Sequence, residues 1–416
     1  MMHNRVLRQA AWSCAKLAPI VARMRLLHIT TVPQALFFLR GQPGFMRAHG
    51  LEVHAVSSPG PELGQFSREE NVDVHAVEMR RAISPVHDLG AIAGLVRLLR
   101  RLKPDIVHAH TPKGGLLGMA AAALAGVPVR IYHLHCMPMV TSRGVRRALL
   151  RIADRASCLL AHRVLCVSSS IRELAIAEGL VDAVRIEVLG HGSINGVDAE
   201  GRFRPGPESA AAGRAERARW GIPEDALVIG FVGRVVRDKG IAELADAWKG
   251  LRVLFPAAHL LVVGAVESED PLPPGVMEAL QADQRVHLTG VRWDTPPLFA
   301  AMDVVVLPSY REGFGVVLLE GAAMALPVVG TNIPGGREAL VDGTTGLLVP
   351  ARDATALESA LARYLRDPDL RQRHGLAGRE RVLRDFRPEV LWAALLRVYE
   401  AEAARAGLGW PGHPRP

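Results

Sequence analysis

Only four of the 416 residues are cysteines, Cys14, Cys136, Cys158 and Cys166. None makes a C-x-x-C pair, which excludes a disulfide framework and a cysteine-ligated metal and points to a reducing compartment. No apolar run reaches the ~18 residues that a membrane-spanning helix needs. Aromatic residues are scarce at 5%, and the arginines are not interleaved with them, which with the lack of any recognisable module excludes nucleic acid as a partner. What is present is a chain too long for one core, rich in alanine, so two domains of α/β class are expected.

Charge is uneven. Residues 1–190 hold 24 Lys and Arg against 13 Asp and Glu, a net of +11, which leaves −3 for the remainder of a chain whose formal net charge is +8. A basic first half suits an anionic membrane surface or a pyrophosphate-bearing acceptor. Residues 1–24 carry Arg5, Arg8, Lys16 and Arg23 without an acid and are expected to be a frayed or weakly interfacial extension. A second basic stretch, Arg143 to Arg155, is expected to form a helix on which Arg147, Arg151 and Arg155 share a face that docks on anionic phospholipid.

From residue 25 onward apolar runs alternate with helical periodicity. Strands are expected at 26–30, 52–57, 72–78, 106–109, 129–133 and 164–167, and helices at 34–49, 88–102, 115–124 and 145–160. The pattern lapses at Gly190-His-Gly-Ser-Ile-Asn195-Gly196-Val-Asp198, read as a connection over 191–206. A second series follows, with strands at 227–231, 259–264, 286–290, 303–307, 327–330 and 346–349. Three late helices end with one over 388–403 that precedes a loose Gly/Pro-rich tail. Such alternation means parallel sheets with crossover helices, which bind ligands beyond the carboxyl ends of their strands. The domains expected are 25–190 and 207–385.

Polar motifs fall at those strand ends. Glu312-Gly-Phe-Gly and Glu320 bracket a strand-to-helix turn whose free N–H groups suit an anion. Gly233-Arg234…Lys239-Gly240 places a guanidinium fork and a point charge for a diphosphate. Lys113 opens a helix and could meet an anionic group, and the turn at Val291 could hold a planar base. The pairs His108/His110 and His133/His135 each put two rings on one strand face, a pattern that could be a metal half-site, but no third ligand is obvious and no metal site is read here. Asp367-Pro-Asp369 lies between two helices, away from any strand end, and is not read as a metal motif.

The ordered set Thr30-Thr-Val-Pro33, His110-Thr-Pro-Lys113, His135, Asn195-Gly-Val-Asp198, Gly233-Arg234…Lys239-Gly240, Glu312-Gly-Phe-Gly…Glu320 and Thr345-Gly-Leu-Leu-Val-Pro350 resembles the bacterial family 4 glycosyltransferases of capsule and lipid-linked oligosaccharide assembly, over residues 25 to about 400. The resemblance implies a GT-B fold of two Rossmann-like domains facing a cleft, with a last helix crossing back over 386–404. It implies retaining, metal-independent transfer of a sugar from a nucleotide donor, UDP-linked by preference, to a glycan or polyprenyl-diphosphate-linked acceptor at the inner face of the cell membrane, with no cofactor. Arg234 and Lys239 would neutralise the diphosphate and Glu320 would hold the ribose. Glu312 would bind sugar hydroxyls, the amides of Gly313, Phe314, Gly315 and Val316 would support sugar and phosphate, and His135 would meet the sugar from the opposite side. Lys113, Asn195 and Val291 complete the expected substrate contacts. Two departures, Cys136 where a glycine is usual and Thr31-Val-Pro-Gln34 in place of a glycine pair, bear on pocket shape. A nucleotide-sugar epimerase of the same fold and a silent membrane scaffold are the alternatives.

Overall fold

The computed structural model describes residues 24–410 apart from Ile83 and Glu269. All but the last residue of the expected basic extension, and residues 411–416 of the tail, lie outside the described residues. The first sheet holds β1 (Met24–Ile29), β2 (Leu51–Ser57), β3 (Asp73–Ala76), β4 (Ile106–His110), β5 (Val129–Leu134), β6 (Arg163–Cys166) and β7 (Ile186–Val188), all parallel, in the order β3-β2-β1-β4-β5-β6-β7. The second holds β8 (Val228–Val232), β9 (His259–Val263), β10 (Val286–Leu288), β11 (Val304–Leu307), β12 (Val328–Thr331) and β13 (Gly346–Val349), again parallel, in the order β10-β9-β8-β11-β12-β13. Near-continuous apolar strands such as Val-Ile-Gly-Phe-Val in β8 and Val-Val-Val-Leu in β11 are buried throughout, as sheets covered by helices on both faces require.

The expected helix over 34–49 is two pieces, a 3₁₀ stretch Pro33–Leu39 and a helix Gln42–Ala48. Gly41 breaks it with φ +79, and a Cβ there would lie 2.7 Å from the Trp392 ring. The helices Pro61–Glu70 and Ser169–Ala177 and the strand β7 were not legible in the sequence pattern. The first buries only Leu63 and Phe66 and so has little periodicity; the second is set by a cap, Ser168 Oγ accepting from the Ile171 N–H; β7 is three residues long.

The helix Pro388–Arg405 leaves the second domain and buries Leu391, Leu395, Tyr399 and Ala403 in one cluster with Leu26, Val53 and Ile131 of the first sheet. Beside it the chain makes its other crossing, where the Val197 N–H donates to the Phe386 carbonyl at 2.9 Å. Gly196 packs so closely on Phe386 that a Cβ would sit 2.5 Å from that carbonyl.

Candidate active site

In the second sheet the chain runs outward from β8 to β10 and then starts β11 on the other side of β8. Their carboxyl ends therefore feed loops that part in opposite directions, the crevice in which sheets of this kind hold ligands. Here the two loops are joined across the crevice. The Tyr310 N–H donates to the Asp238 carbonyl at 2.8 Å. Gly240, at φ +70, leaves room for Pro308, whose carbonyl oxygen would be 2.0 Å from any Cβ, so both backbone and contact demand glycine.

This zipper brings Lys239 and Glu312 of the second domain together, with Arg234 in the same loop after β8 and Glu320 on the helix that follows the Glu312 loop. The Lys239 ammonium donates to the Glu312 carboxylate, which also accepts from Ser309 Oγ at 2.7 Å. Arg234 Nη1 donates to Glu267 at 2.9 Å, and Glu267 is 3.6 Å from Arg81 of the first domain. Glu320 lies on the helix Val316–Ala323 that follows the Glu312 loop. Burial pushes its carboxyl up to about 7, with the Arg202 guanidinium pulling the other way. Of the four expected amide donors, those of Gly315 and Val316 already have carbonyl partners, Gly335 at 3.1 Å and Phe314 at 2.8 Å; Phe314 is buried against Phe386.

Across the cleft, His135 follows β5, and its backbone carbonyl lies so near Gly313 that a Cβ there would be 1.5 Å from it. Ser168 Oγ donates to the Gly313 carbonyl at 3.0 Å, and the Glu338 carboxylate accepts from the Ser170 and Gly335 N–H groups at 2.9 and 3.0 Å. Thr141 donates to Asp238 at 3.0 Å and accepts from Arg311, which also donates to Asp238 at 3.0 Å. Apart from His135 and Gly313, none of these bridging residues was singled out from sequence; Arg311 adjoins Glu312, and Glu267 falls in an acidic loop after a strand.

The histidine pairs are buried together on one face of the first sheet, joined by His28 of β1. His28, His108 and His110 form one set of three with ring nitrogens mutually within 4.8 Å, and His110, His133 and His135 form another. A third ring near each pair, which the sequence did not reveal, is thus provided by β1 or by the neighbouring pair. Burial holds all five imidazoles below their ordinary range, His28 at about 3 and His135 at about 4.

Other expected contacts lie elsewhere. Lys113 is paired with Asp88 at 2.7 Å and donates to the Ala82 carbonyl, so its charge is already matched. Asn195 is corrected from a substrate contact to a brace, since its Nδ2 donates to the Arg40 carbonyl at 2.8 Å and its Oδ1 accepts from Trp392 Nε1 at 2.6 Å. Val291 stands 53% exposed beyond β10, beside Gly290, whose carbonyl accepts from the Gly264 N–H at the end of β9. Asp367 is a helix cap, accepting from the Leu370 N–H at 2.8 Å. A surface cavity of about 680 Å³ lies between Val77 and Leu98 in the first domain and is lined by none of the site residues above.

The basic helix, Gly144–Leu160, also needs correction. Arg147 donates to the Glu178 carboxylate at 2.6 Å, Arg151 to the Glu178 carbonyl at 2.7 Å and Arg155 to the Gly179 carbonyl at 3.0 Å. That arginine face therefore holds the end of the helix Ser169–Ala177, a favourable place for cations. The face left outward is apolar: Val145, Leu149 and Ile152 are 77%, 47% and 63% exposed.

Two family descriptions match the chain, a glycosyl transferase 4-like domain over residues 45–192 and glycosyl transferases group 1 over 213–381. The capsular polysaccharide biosynthesis glycosyltransferase CapM of Staphylococcus aureus is 32% identical over 375 residues, covering 90% of this chain and 96% of that protein. An Escherichia coli protein, UDP-Gal:alpha-D-GlcNAc-diphosphoundecaprenol alpha-1,3-galactosyltransferase, is 30% identical over 290 residues, covering 69% and 73%. Among solved structures, Anabaena HepE in complex with UDP and glucose superposes with a TM-score of 0.74 at 19% identity, over 91% of this chain and 100% of the other. The sucrose-phosphate synthase of Thermosynechococcus elongatus gives 0.75 at 21% identity, over 92% and 100%. The chain belongs to the group 1, family 4 glycosyltransferases and has their GT-B fold.

Proposed function

We propose that this glycosyltransferase moves a sugar from a UDP-sugar to a lipid-linked or glycan acceptor in surface polysaccharide assembly, with retention of anomeric configuration and without a divalent ion. The observation that carries this reading is the Lys239–Glu312 pair across the β8/β11 crevice, with Arg234 in the same loop after β8, Glu320 on the helix after the β11 loop, and the His135 carbonyl packed on Gly313. Cleavage of the anomeric bond puts negative charge on the diphosphate, and two fixed cations at that point can supply much of the acceleration. The donor trades places with Glu267 and Glu312, which pair the cations beforehand. Ionised Glu320 accepts from the ribose hydroxyls, the freed Glu312 accepts from the sugar, and the leaving oxygen takes the acceptor proton on the same face. The E. coli relative, named for UDP-Gal and a diphosphoundecaprenol acceptor, and the HepE complex with UDP support the donor and acceptor classes.

For the acceptor to be lipid-linked, the first domain must reach a membrane. Among the described residues no helix is long and apolar enough to cross one. Val145, Leu149 and Ile152, with exposed Arg143 and Arg146 beside them, form an apolar ridge with cationic flanks suited to the interface of an anionic bilayer. Incubation with labelled UDP-sugars and an undecaprenyl-diphosphate-linked acceptor fraction tests the reading. Labelled lipid product supports it; an epimerised donor without product indicates the epimerase, and an untouched donor the silent scaffold.

A further inference from the structure

His28, His110 and His135 form a continuous chain across β1, β4 and the end of β5. His28 Nδ1 is 3.0 Å from His110 Nε2, and His110 Nδ1 is 3.0 Å from His135 Nε2. A neutral imidazole carries one N–H and one lone pair, and burial keeps these three neutral. Two successive hydrogen bonds can then be satisfied in only two ways, with every N–H pointing toward His135 or every N–H pointing away. The two nitrogens at the chain's ends, His28 Nε2 and His135 Nδ1, are buried without a partner, so one is a donor and the other an acceptor.

The sense of the chain is set at its far end. Tyr399 of the C-terminal helix has its hydroxyl 2.6 Å from His108 Nδ1, and burial holds the phenol in its protonated form. A buried phenol with this single partner donates its proton, so His108 accepts on Nδ1 and carries its own N–H on Nε2. The His108 ring lies 5.4 Å from that of His28. His108 Nε2 and His28 Nε2 are both buried without a hydrogen-bond partner, so a lone pair on His28 Nε2 spares this close cluster a second unmatched N–H beside that of His108. His28 then donates from Nδ1 to His110, His110 donates from Nδ1 to His135, and His135 keeps its proton on Nδ1.

We infer that His28 and His110 are positioning residues that fix the tautomer of His135, so that its Nδ1–H is presented as a hydrogen-bond donor to an oxygen of the transferred sugar. The sugar contact rests on the reading under Proposed function; the tautomer does not. The group served is a hydroxyl or carboxylate oxygen, since a ring held neutral in this sense offers a donor and no positive charge. The same arrangement ties the C-terminal helix, through Tyr399 and His108, to the state of the site.

The test is histidine ring 15N NMR on the full chain, with the His135 signals assigned from a His135→Gln variant. The expected wild-type spectrum has His135 protonated on Nδ1 from pH 6 to 8. His110→Phe removes both hydrogen bonds and should shift His135 toward a mixture of tautomers; His110→Gln, which can both accept and donate, should restore much of the wild-type signal. His28→Gln is the second variant should His110→Phe not fold. A His135 proton on Nε2, or a His135 spectrum unchanged in folded His110→Phe and His28→Gln, overturns the inference. So does a stoichiometric metal found by elemental analysis and lost in the His110 variants, which would make these rings ligands. With the tautomer confirmed, turnover of UDP-glucose, UDP-galactose and UDP-GlcNAc tests the sugar contact. His110→Phe should lower kcat on the order of tenfold to a hundredfold with UDP affinity unchanged. Equal kcat would locate the failure in the proposed sugar contact and not in the chain.

Discussion

Lys239, from the loop after β8, donates to Glu312, from the loop after β11, and both side chains are largely shielded from water. The cation assigned to the donor's diphosphate is therefore held in place by the carboxylate assigned to the donor's sugar. Lys239→Ala or Arg234→Ala should lower turnover on the order of 10²-fold or more, the range for losing one preorganised electrostatic donor, with circular dichroism unchanged. Glu312→Gln should separate the two roles. UDP alone should bind more tightly by up to about tenfold, since Lys239 no longer has to leave an ion pair, while donor turnover falls.

Glu320 gives the site a pH dependence. Burial pushes its carboxyl up to about 7, and only the ionised form could accept from both of the ribose hydroxyls proposed for it. UDP affinity measured by calorimetry should rise from pH 6 to pH 8, and Glu320→Gln should flatten that rise. The linkage to stability has the opposite sign. A carboxyl raised above its unfolded value favours folding below the unfolded pKa and loses that contribution as pH climbs through about 7. The free protein should thus become less stable over the interval in which it binds UDP better.

Gly313 is one of the points where the domains touch. An added methyl would meet the His135 carbonyl 1.5 Å away, so Gly313→Ala must displace backbone on one side of the cleft. Turnover should drop on the order of a hundredfold, as misplacement of about 1 Å can cause, with little loss of thermal stability.

Excess EDTA should leave the initial rate of transfer unchanged, because the leaving charge is assigned to Arg234 and Lys239 and not to a bound cation. Complete loss on chelation, restored by magnesium or manganese, would remove that assignment.

Replacing Val145, Leu149 and Ile152 together by Ser should abolish sedimentation with phosphatidylglycerol-containing vesicles and leave UDP binding intact. Arg147→Ala with Arg151→Ala should instead lower the melting temperature, since both hold the Glu178 corner. Equal vesicle binding by the Ser variant would return this helix to a solvated role.

The fold was legible because its strands are short apolar runs separated by periodic helices, and the residues around Glu312 and Lys239 because they sit where such strands end. The outward face of the Gly144–Leu160 helix was not. Arginine spacing predicts a shared face but not which neighbour it meets, and the acceptor at Glu178 lies 31 residues beyond Arg147. Asn195 failed for a similar reason, since its partners Arg40 and Trp392 are brought in by distant segments. The fifth histidine of the cluster was hidden because His28 looked like one polar interruption in a buried strand, and only the β1–β4 register sets it beside His108.

The most direct test of the assignment is product analysis with labelled UDP-glucose, UDP-galactose and UDP-GlcNAc and an undecaprenyl-diphosphate-linked acceptor, in the presence of EDTA. The account predicts that one donor is consumed, that label appears in the lipid fraction in α linkage as in the donor, and that Arg234→Ala loses this product. A β-linked product, or label found only in an epimerised donor, would contradict it.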